Sequence, residues 1–343
     1  MERMLFIYNP KAGKGAVRSQ LSNILEELGK HDYHIVIHPT REAQDAARIV
    51  QERGGGYDLI VCSGGDGTLD EVVTGMQRGG FQRPLGYIPA GSTNDFANSL
   101  GLPKNMRSAA KVVAEGKKFL CDLGKMNEDY FVYVAAFGVF TDVSYKTSQE
   151  WKNMLGHLAY ILEGVKSLSN LKSWKMRYES QEQSGSGEFL YGMITNSNSV
   201  GGFKGITGKD VTLNDGMFEV TLILMPDNFI EWPGIINALM TGEKNRFVIS
   251  FKTSRVEFIS ETPVSWTRDG EYGGTHRRAL IENIPRALPI IVPDVAQAAT
   301  VQDALKAEDL AQDEAMELPN AGSRSLYTIA RTIEKEKHRG GAD

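Results

Sequence analysis

Five short stretches hold residue types that could do chemistry together. Residues 63–71, SGGDGTLDE, follow the apolar run YDLIVC and open a helical pattern. Successive glycines let backbone N–H groups converge, and a helix N-terminus adds partial positive charge. Gly65, Asp66, Gly67 and Thr68 could therefore cradle a phosphate without a lysine. The same stretch also reads as a tight turn with Asp66 or Thr68 as helix cap. At 89–97, PAGSTNDFA repeats the arrangement: Gly91 frees the backbone, Ser92, Thr93 and Asn94 offer short donors, and Asp95 offers a carboxylate. NPKAGKG at 9–15 is a third loop of this kind. Further on, LNDGMFEV (213–220) holds Asp215 before a strand, and WTRDGEYG (266–273) sets Asp269 and Glu271 either side of Gly270. Phosphoryl transfer needs Mg²⁺ and a group to take the proton of the attacking hydroxyl, and carboxylates serve both needs. Asp66, Asp70, Asp95 and Asp122 all follow or sit near strand ends. The Asp-Gly-Glu turn reads equally as an ordinary hairpin. Neither GxxxxGK[ST] nor the dinucleotide fingerprint is present.

The elements that would position these residues alternate through the first 125 residues. Apolar strands are predicted at 4–8, 33–38, 57–62 and 84–89, and helices at 16–29, after Thr40 as a cap, from Leu69, within 90–103 and over 107–115. This is the rhythm of a parallel α/β unit, whose carboxyl edge would gather all three loops. Beyond it the pattern changes. A strand-like segment covers 130–143, a helix is predicted over about 150–171, and many short strands follow between Gly, Asn and Asp turns. These read as an antiparallel sandwich or small barrel, and the sandwich is the expectation adopted. RALIENIP (278–285) and ALPIIVP (287–293) read as two separate strands. The expected division is 1–125 for the α/β domain, 126–293 for the β-sandwich, and 294–343 for a helical acidic tail that packs back, dimerises or lies on a membrane.

Composition narrows the classes. Thirty-eight basic against 43 acidic residues give a net charge of −5, which argues against a nucleic-acid binder held by phosphate contacts. Two cysteines, Cys62 and Cys121, without CxxC spacing, argue against a disulfide framework or structural zinc and for a reduced cytoplasmic chain. The first residues are too briefly apolar for a signal peptide, and no long apolar window predicts a membrane span. Any membrane contact would be peripheral. In the region 151–174, Trp151, Tyr160, Leu168, Leu171 and Trp174 with Lys152, Lys166, Lys172 and Lys175 suit either a lipid entrance at an anionic surface or a core helix with a basic solvated face.

The ordered stretches SGGDGTLDEVVTG, PLGYIPAGSTNDFANSLGLP, FGVFTDV, LNDGMFEV and RDGE resemble the diacylglycerol kinase catalytic family, in its soluble bacterial lipid-kinase branch, over roughly residues 1–293. The resemblance implies a Rossmann-like domain shared with NAD kinases beside a second β domain. ATP would bind between them, and its γ-phosphoryl would pass to a lipid hydroxyl, with diacylglycerol giving phosphatidic acid. It implies Asp269 as general base with Glu271 as its acidic neighbour. Asp66, Asp95 and Asp122 would form an acidic network that places catalytic Mg²⁺. Asp215 and the carbonyls of Thr212 and Met217 would hold a structural Mg²⁺. Asn9, Thr40, Gly65, Asp66, Gly67, Thr68, Gly91, Ser92, Thr93 and Asn94 would line the nucleotide. Two departures stand out: Asp70 and Thr74 occupy positions where the family commonly has asparagine. Other readings are a kinase of a sphingoid base, another glycerolipid or a lipid alcohol, an NAD kinase, or a regulator that keeps the fold without turnover. The lipid would be met at the inner face of the membrane, and edge strands would suit a homodimer.

Overall fold

The computed structural model describes residues 1–138, 171–200, 203–204 and 211–294. Residues 150–170 of the helix predicted over about 150–171, residues 139–143 of the FGVFTDV stretch and the tail from 295 lie outside them.

The chain begins as strand β1 (Glu2–Tyr8), helix α1 (Ala16–Leu28), β2 (Tyr33–Pro39), α2 (Asp45–Arg53), β3 (Leu59–Gly64), α3 (Asp66–Arg78), β4 (Leu85–Pro89), α4 (Asp95–Ser99) and α5 (Met106–Glu115). The four strands pair in parallel in the order β2-β1-β3-β4. Every residue of β3 and β4 is buried, which is why their sequences are apolar on both faces. Thr40 does not cap α2. It follows β2 directly, with its N–H on Tyr8 O, and the helix starts at Asp45 after a left-handed Gln44. Glu71 of α3 performs the capping instead, accepting the Gln44 and Ala46 N–H groups at 2.9 and 3.2 Å.

Next come β5 (Lys117–Met126), β6 (Asp129–Phe131), β7 (Val134–Gly138), β8 (Trp174–Ser180), β9 (Ser184–Thr195), the short pair β10 (Ser199–Val200) and β11 (Phe203–Lys204), β12 (Phe218–Leu224), a helix Trp232–Thr241, β13 (Val248–Thr253), β14 (Arg255–Arg268) and β15 (Glu271–Val292). Trp174 and Lys175, named with the region 151–174 and also opening the strand-like run WKMRYES, are the first residues of β8.

The expected pair of a Rossmann-like domain and a separate β-sandwich does not form. One 13-stranded sheet runs through both regions. Its joint is β15, which is a single strand of 22 residues rather than two. Over its first half β15 pairs with β14. Over its second half it pairs with β5, and at Ile290 it meets Leu85 of β4 in parallel. The register shift between Ile284 and Leu288, with Arg286 at φ 55, lets the strand pass a proline without ending.

The antiparallel part closes on itself instead of stacking as two sheets. β7 pairs with β9, β9 with β8, β8 with β14, and β14 again with β7. This ring is a small barrel. β14 can join both β8 and β7 because a bulge between Ile259 and Val264, around Pro263, redirects it. Phe137, Tyr178, Phe189, Phe258 and Trp266 fill the interior, with Phe137 and Trp266 ring centroids 4.8 Å apart. The result is a mixed α/β fold around a small antiparallel barrel.

Candidate active site

The carboxyl ends of β1 to β4 deliver the three loops to one edge. Asn9 N–H donates to Ser63 O at 2.9 Å, and its side-chain amide reaches Thr68 Oγ1 at 3.4 Å. Ala90 N–H donates to Gly64 O at 2.8 Å. The loops at 63–71 and 89–97 touch so closely that a Cβ on Gly91 would stand 2.7 Å from Gly65 Cα. Asn94, at φ 52, clips Gly91 from both sides: Oδ1 accepts its N–H and Nδ2 donates to its carbonyl, each at 2.9 Å. The amide of Asn94 therefore shapes the loop. Ser92 is exposed beside it, Thr93 is half-buried, and Thr40 lies at the same edge.

Neither Asp66 nor Thr68 caps α3; Gly65 takes the N-cap position without a side-chain bond. Asp66 instead turns across to the PAGST loop, where Oδ2 accepts Asp95 N–H at 3.3 Å. Its Oδ1 is buried without a partner. Burial, with Asp95 and Asp269 nearby, pushes the Asp66 carboxyl up to about 7.

Asp269 and Gly270 form the two-residue tip between β14 and β15, at φ 49 and 86, as a primed hairpin turn requires. Asp269 N–H donates to Val134 O. The carboxylate accepts three backbone N–H groups, from Val132 to Oδ2 at 2.5 Å and from Tyr133 and Val134 to Oδ1 at 2.9 and 3.0 Å. Burial raises this carboxyl to about 6 against those bonds, which favour the charged form. Glu271 Oε1 lies 3.5 Å from where a Gly67 Cβ would be, so the hairpin faces the glycine loop. Burial raises Glu271 as well, with Glu71 adding to the effect.

Asp70, named in the sequence both among the carboxylates near strand ends and as a departure from a motif, belongs to this group. It follows Asp66 by four residues on α3, hence on the same face, and its Oδ1 is buried without a partner. Burial first, then Asp269, holds its carboxyl well above the usual range. Asp122 has partners of its own. Its oxygens accept Gly216 N–H at 2.6 Å and Arg286 N–H at 2.8 Å, so it braces the loop that carries Asp215. In that loop Asp215 Oδ1 accepts Met217 N–H at 3.0 Å, Oδ2 lies 3.7 Å from Lys252 Nζ, and Asn283 Nδ2 donates to Met217 O. Thr212 is exposed just before it.

Residues 3–126 match the diacylglycerol kinase catalytic domain. The chain is 34% identical over 297 residues to the diacylglycerol kinase of Bacillus subtilis (strain 168), covering 85% of this chain and 97% of that one. The chain belongs to the diacylglycerol kinase catalytic family. The diacylglycerol kinase of Staphylococcus carnosus (strain TM300) is 33% identical over 308 residues, covering 88% and 99%. A solved structure from Bacillus anthracis str. Sterne agrees in fold at a TM-score of 0.74 and 24% identity, over 86% of this chain and 98% of that chain. As a member of this family the protein is an ATP- and Mg²⁺-dependent lipid kinase.

The site suits what a diacylglycerol kinase family member must hold. The two unpartnered carboxylate oxygens of Asp66 and Asp70 are suitable donors for a hard divalent cation. Among the described residues no three His, Cys, Asp or Glu side chains are already grouped around a metal position. Mg²⁺ commonly takes only one or two carboxylates, with phosphate oxygens and water completing its shell. Among the described residues no helix is long and apolar enough to cross a membrane.

Proposed function

We propose that this kinase phosphorylates 1,2-diacylglycerol, giving phosphatidic acid and ADP, with Asp269 as general base. The observation that carries the reading is the approach of the Asp269–Glu271 hairpin to Gly67, which brings a buried carboxylate beside a glycine-rich phosphate loop. Residues 1–125 contribute the donor loops and 126–293 the base. The N–H-rich edge around Gly65, Gly67 and Gly91, with the hydroxyls of Thr68, Ser92 and Thr93, orients the triphosphate, while Asn9 and Thr40 border it. Mg²⁺ held there would supply positive charge to offset that of the phosphates. Asp66 and Asp70 hold the cation side, and Asp95 supports Asp66 through the contact of the two loops. Asp269 takes the proton as the lipid hydroxyl oxygen attacks the γ-phosphorus and ADP leaves. Glu271 keeps the field around it negative. Asp215, with the carbonyls of Thr212 and Met217, forms a second, structural cation position, and Asp122 sets that loop's shape.

The acceptor is met at the inner face of the membrane through a peripheral contact of a cytoplasmic protein, acting as a homodimer. The deciding experiment offers labelled ATP with detergent micelles of diacylglycerol, a sphingoid base, or NAD in parallel. Labelled phosphatidic acid from wild type and none from Asp269→Asn is the expected result. Label in the sphingoid base or in NAD alone would replace the acceptor, and transfer by D269N would remove the base.

A further inference from the structure

Tyr87 is the middle residue of β4 and is fully buried. It pairs across the sheet with Cys62 of β3, two residues before Gly64. Its ring packs in the main core, and its hydroxyl reaches the carboxyl edge of the sheet. There it donates to Gly64 O at 3.3 Å, with Asn94 Oδ1 as a second acceptor at 3.5 Å. Gly64 is the root of the glycine loop at 63–71. Asn94 is the residue that clips Gly91 in the loop at 89–97. One hydroxyl therefore joins the two phosphate loops from beneath, and its burial keeps it from touching a nucleotide itself.

Both acceptors keep another donor without it: Gly64 O accepts Ala90 N–H at 2.8 Å, and Asn94 Oδ1 accepts Gly91 N–H at 2.9 Å. A phenylalanine ring would fill the same space and orphan neither oxygen, so the fold does not depend on the hydroxyl. What the hydroxyl adds is a shared point that fixes Asn94 relative to Gly64. The backbones above it have no slack: a Cβ on Gly91 would meet Gly65 Cα at 2.7 Å, and one on Gly64 would meet Thr68 Cβ at 2.5 Å. Converging N–H groups hold phosphate oxygens only while their spacing is kept. We propose that Tyr87 is a positioning residue for ATP, its hydroxyl setting the spacing of the two phosphate loops through Gly64 and Asn94. The inference rests on those loops holding the triphosphate. Proton transfer at Asp269 is untouched by it.

The test uses the full chain and compares Tyr87→Phe, Asn94→Gly, the Y87F/N94G pair and Gly91→Ala. Each is read by kinetics with diacylglycerol micelles and Mg-ATP, by titration calorimetry with Mg-ADP, and by a thermal melt. Glycine is chosen at 94 because it accepts the left-handed backbone there while removing the clip. Y87F is expected to raise KM for ATP and Kd for Mg-ADP at least threefold, with kcat within twofold and the melting temperature within about 3 °C of wild type. In the N94G background the same substitution is expected to add less than twofold, because the hydroxyl then has no clip to hold. A merely structural tyrosine gives the reverse, a lower melt with nucleotide affinity unmoved. Three results overturn the role of Tyr87: KM and Kd changed less than threefold by Y87F, a Y87F protein that fails to fold, or an effect undiminished in N94G. G91A separates the layers. Weakened Mg-ADP binding in G91A with normal binding in Y87F ends the role of Tyr87 alone, whereas normal binding in G91A ends the assignment of these loops to the phosphates.

Discussion

Asp269 is buried and held by three amides, and those two facts pull its protonation in opposite directions, with burial the stronger. A base works only when ionised. With its carboxyl raised to about 6, the ionised fraction grows as pH rises through that value and is complete above it. The expected kcat is flat above pH 7 and falls about tenfold per unit below the inflection; a stopped assay across pH 4.5–8 reads it. D269N is expected to lower kcat by about 10²–10⁴-fold. The sequence marked Asp269 and Glu271 as candidates through their place in an Asp-Gly-Glu turn, yet it could not tell a plain hairpin from a working one. What supports the second reading is the meeting of that tip with Gly67, more than 200 residues away in the chain. Asp70 was among the candidate carboxylates, and its four-residue spacing from Asp66 on a helix gives the two a shared face. For Asp122 the sequence does not show the partners: a carboxylate inside a strand can point to a remote loop, and this one accepts from Gly216 and Arg286.

At the scale of elements, the glycine loops depend on backbones that nearly touch. Gly91→Ala would put a methyl 2.7 Å from both Gly65 Cα and Asn94 Oδ1. Forcing atoms into such a contact costs about 1–3 kcal/mol. The expected outcome is a KM for ATP raised tenfold or more with a smaller fall in kcat, read by initial rates. The loop between β12 and its preceding turn makes a separate prediction. If Asp215 holds a cation, Mg²⁺ without nucleotide should raise the melting temperature of wild type more than that of Asp215→Asn. Equal shifts would assign the stabilisation to the Asp66 edge. The parallel strands and their loops were legible because each strand is a short apolar run closed by glycine or proline. β15 was not, because Pro285 and Arg286 look like a terminator and the bulge that carries the strand past them has no local signature.

Across the whole molecule, closure of the barrel was the feature least visible in the sequence. Short alternating strands specify half-buried pleats, but which strands pair is fixed by contacts between segments far apart. The ring from β7 through β9, β8 and β14 needs β8 to bridge two strands that the chain order separates. Its aromatic filling makes the prediction for stability. Phe137→Ala, at a fully buried ring against Trp266 and Phe258, should cost about 3–5 kcal/mol. Because the sheet is continuous, the loss should lower one shared calorimetric transition, with the ATP-binding signal disappearing at that same temperature. Two separate transitions, only one of them moved, would show that the barrel melts alone.

β15 also limits how such kinases can be recombined. The matched segment 3–126 looks like a portable cassette, but the strand beside β4 comes from residues 271–292. A chimera that exchanges only the N-terminal segment would set a foreign β4 against a native β15 and strand the hairpin on the wrong scaffold. Grafts that carry the last strand along with the first 126 residues should express as active enzyme, and those that leave it behind should not.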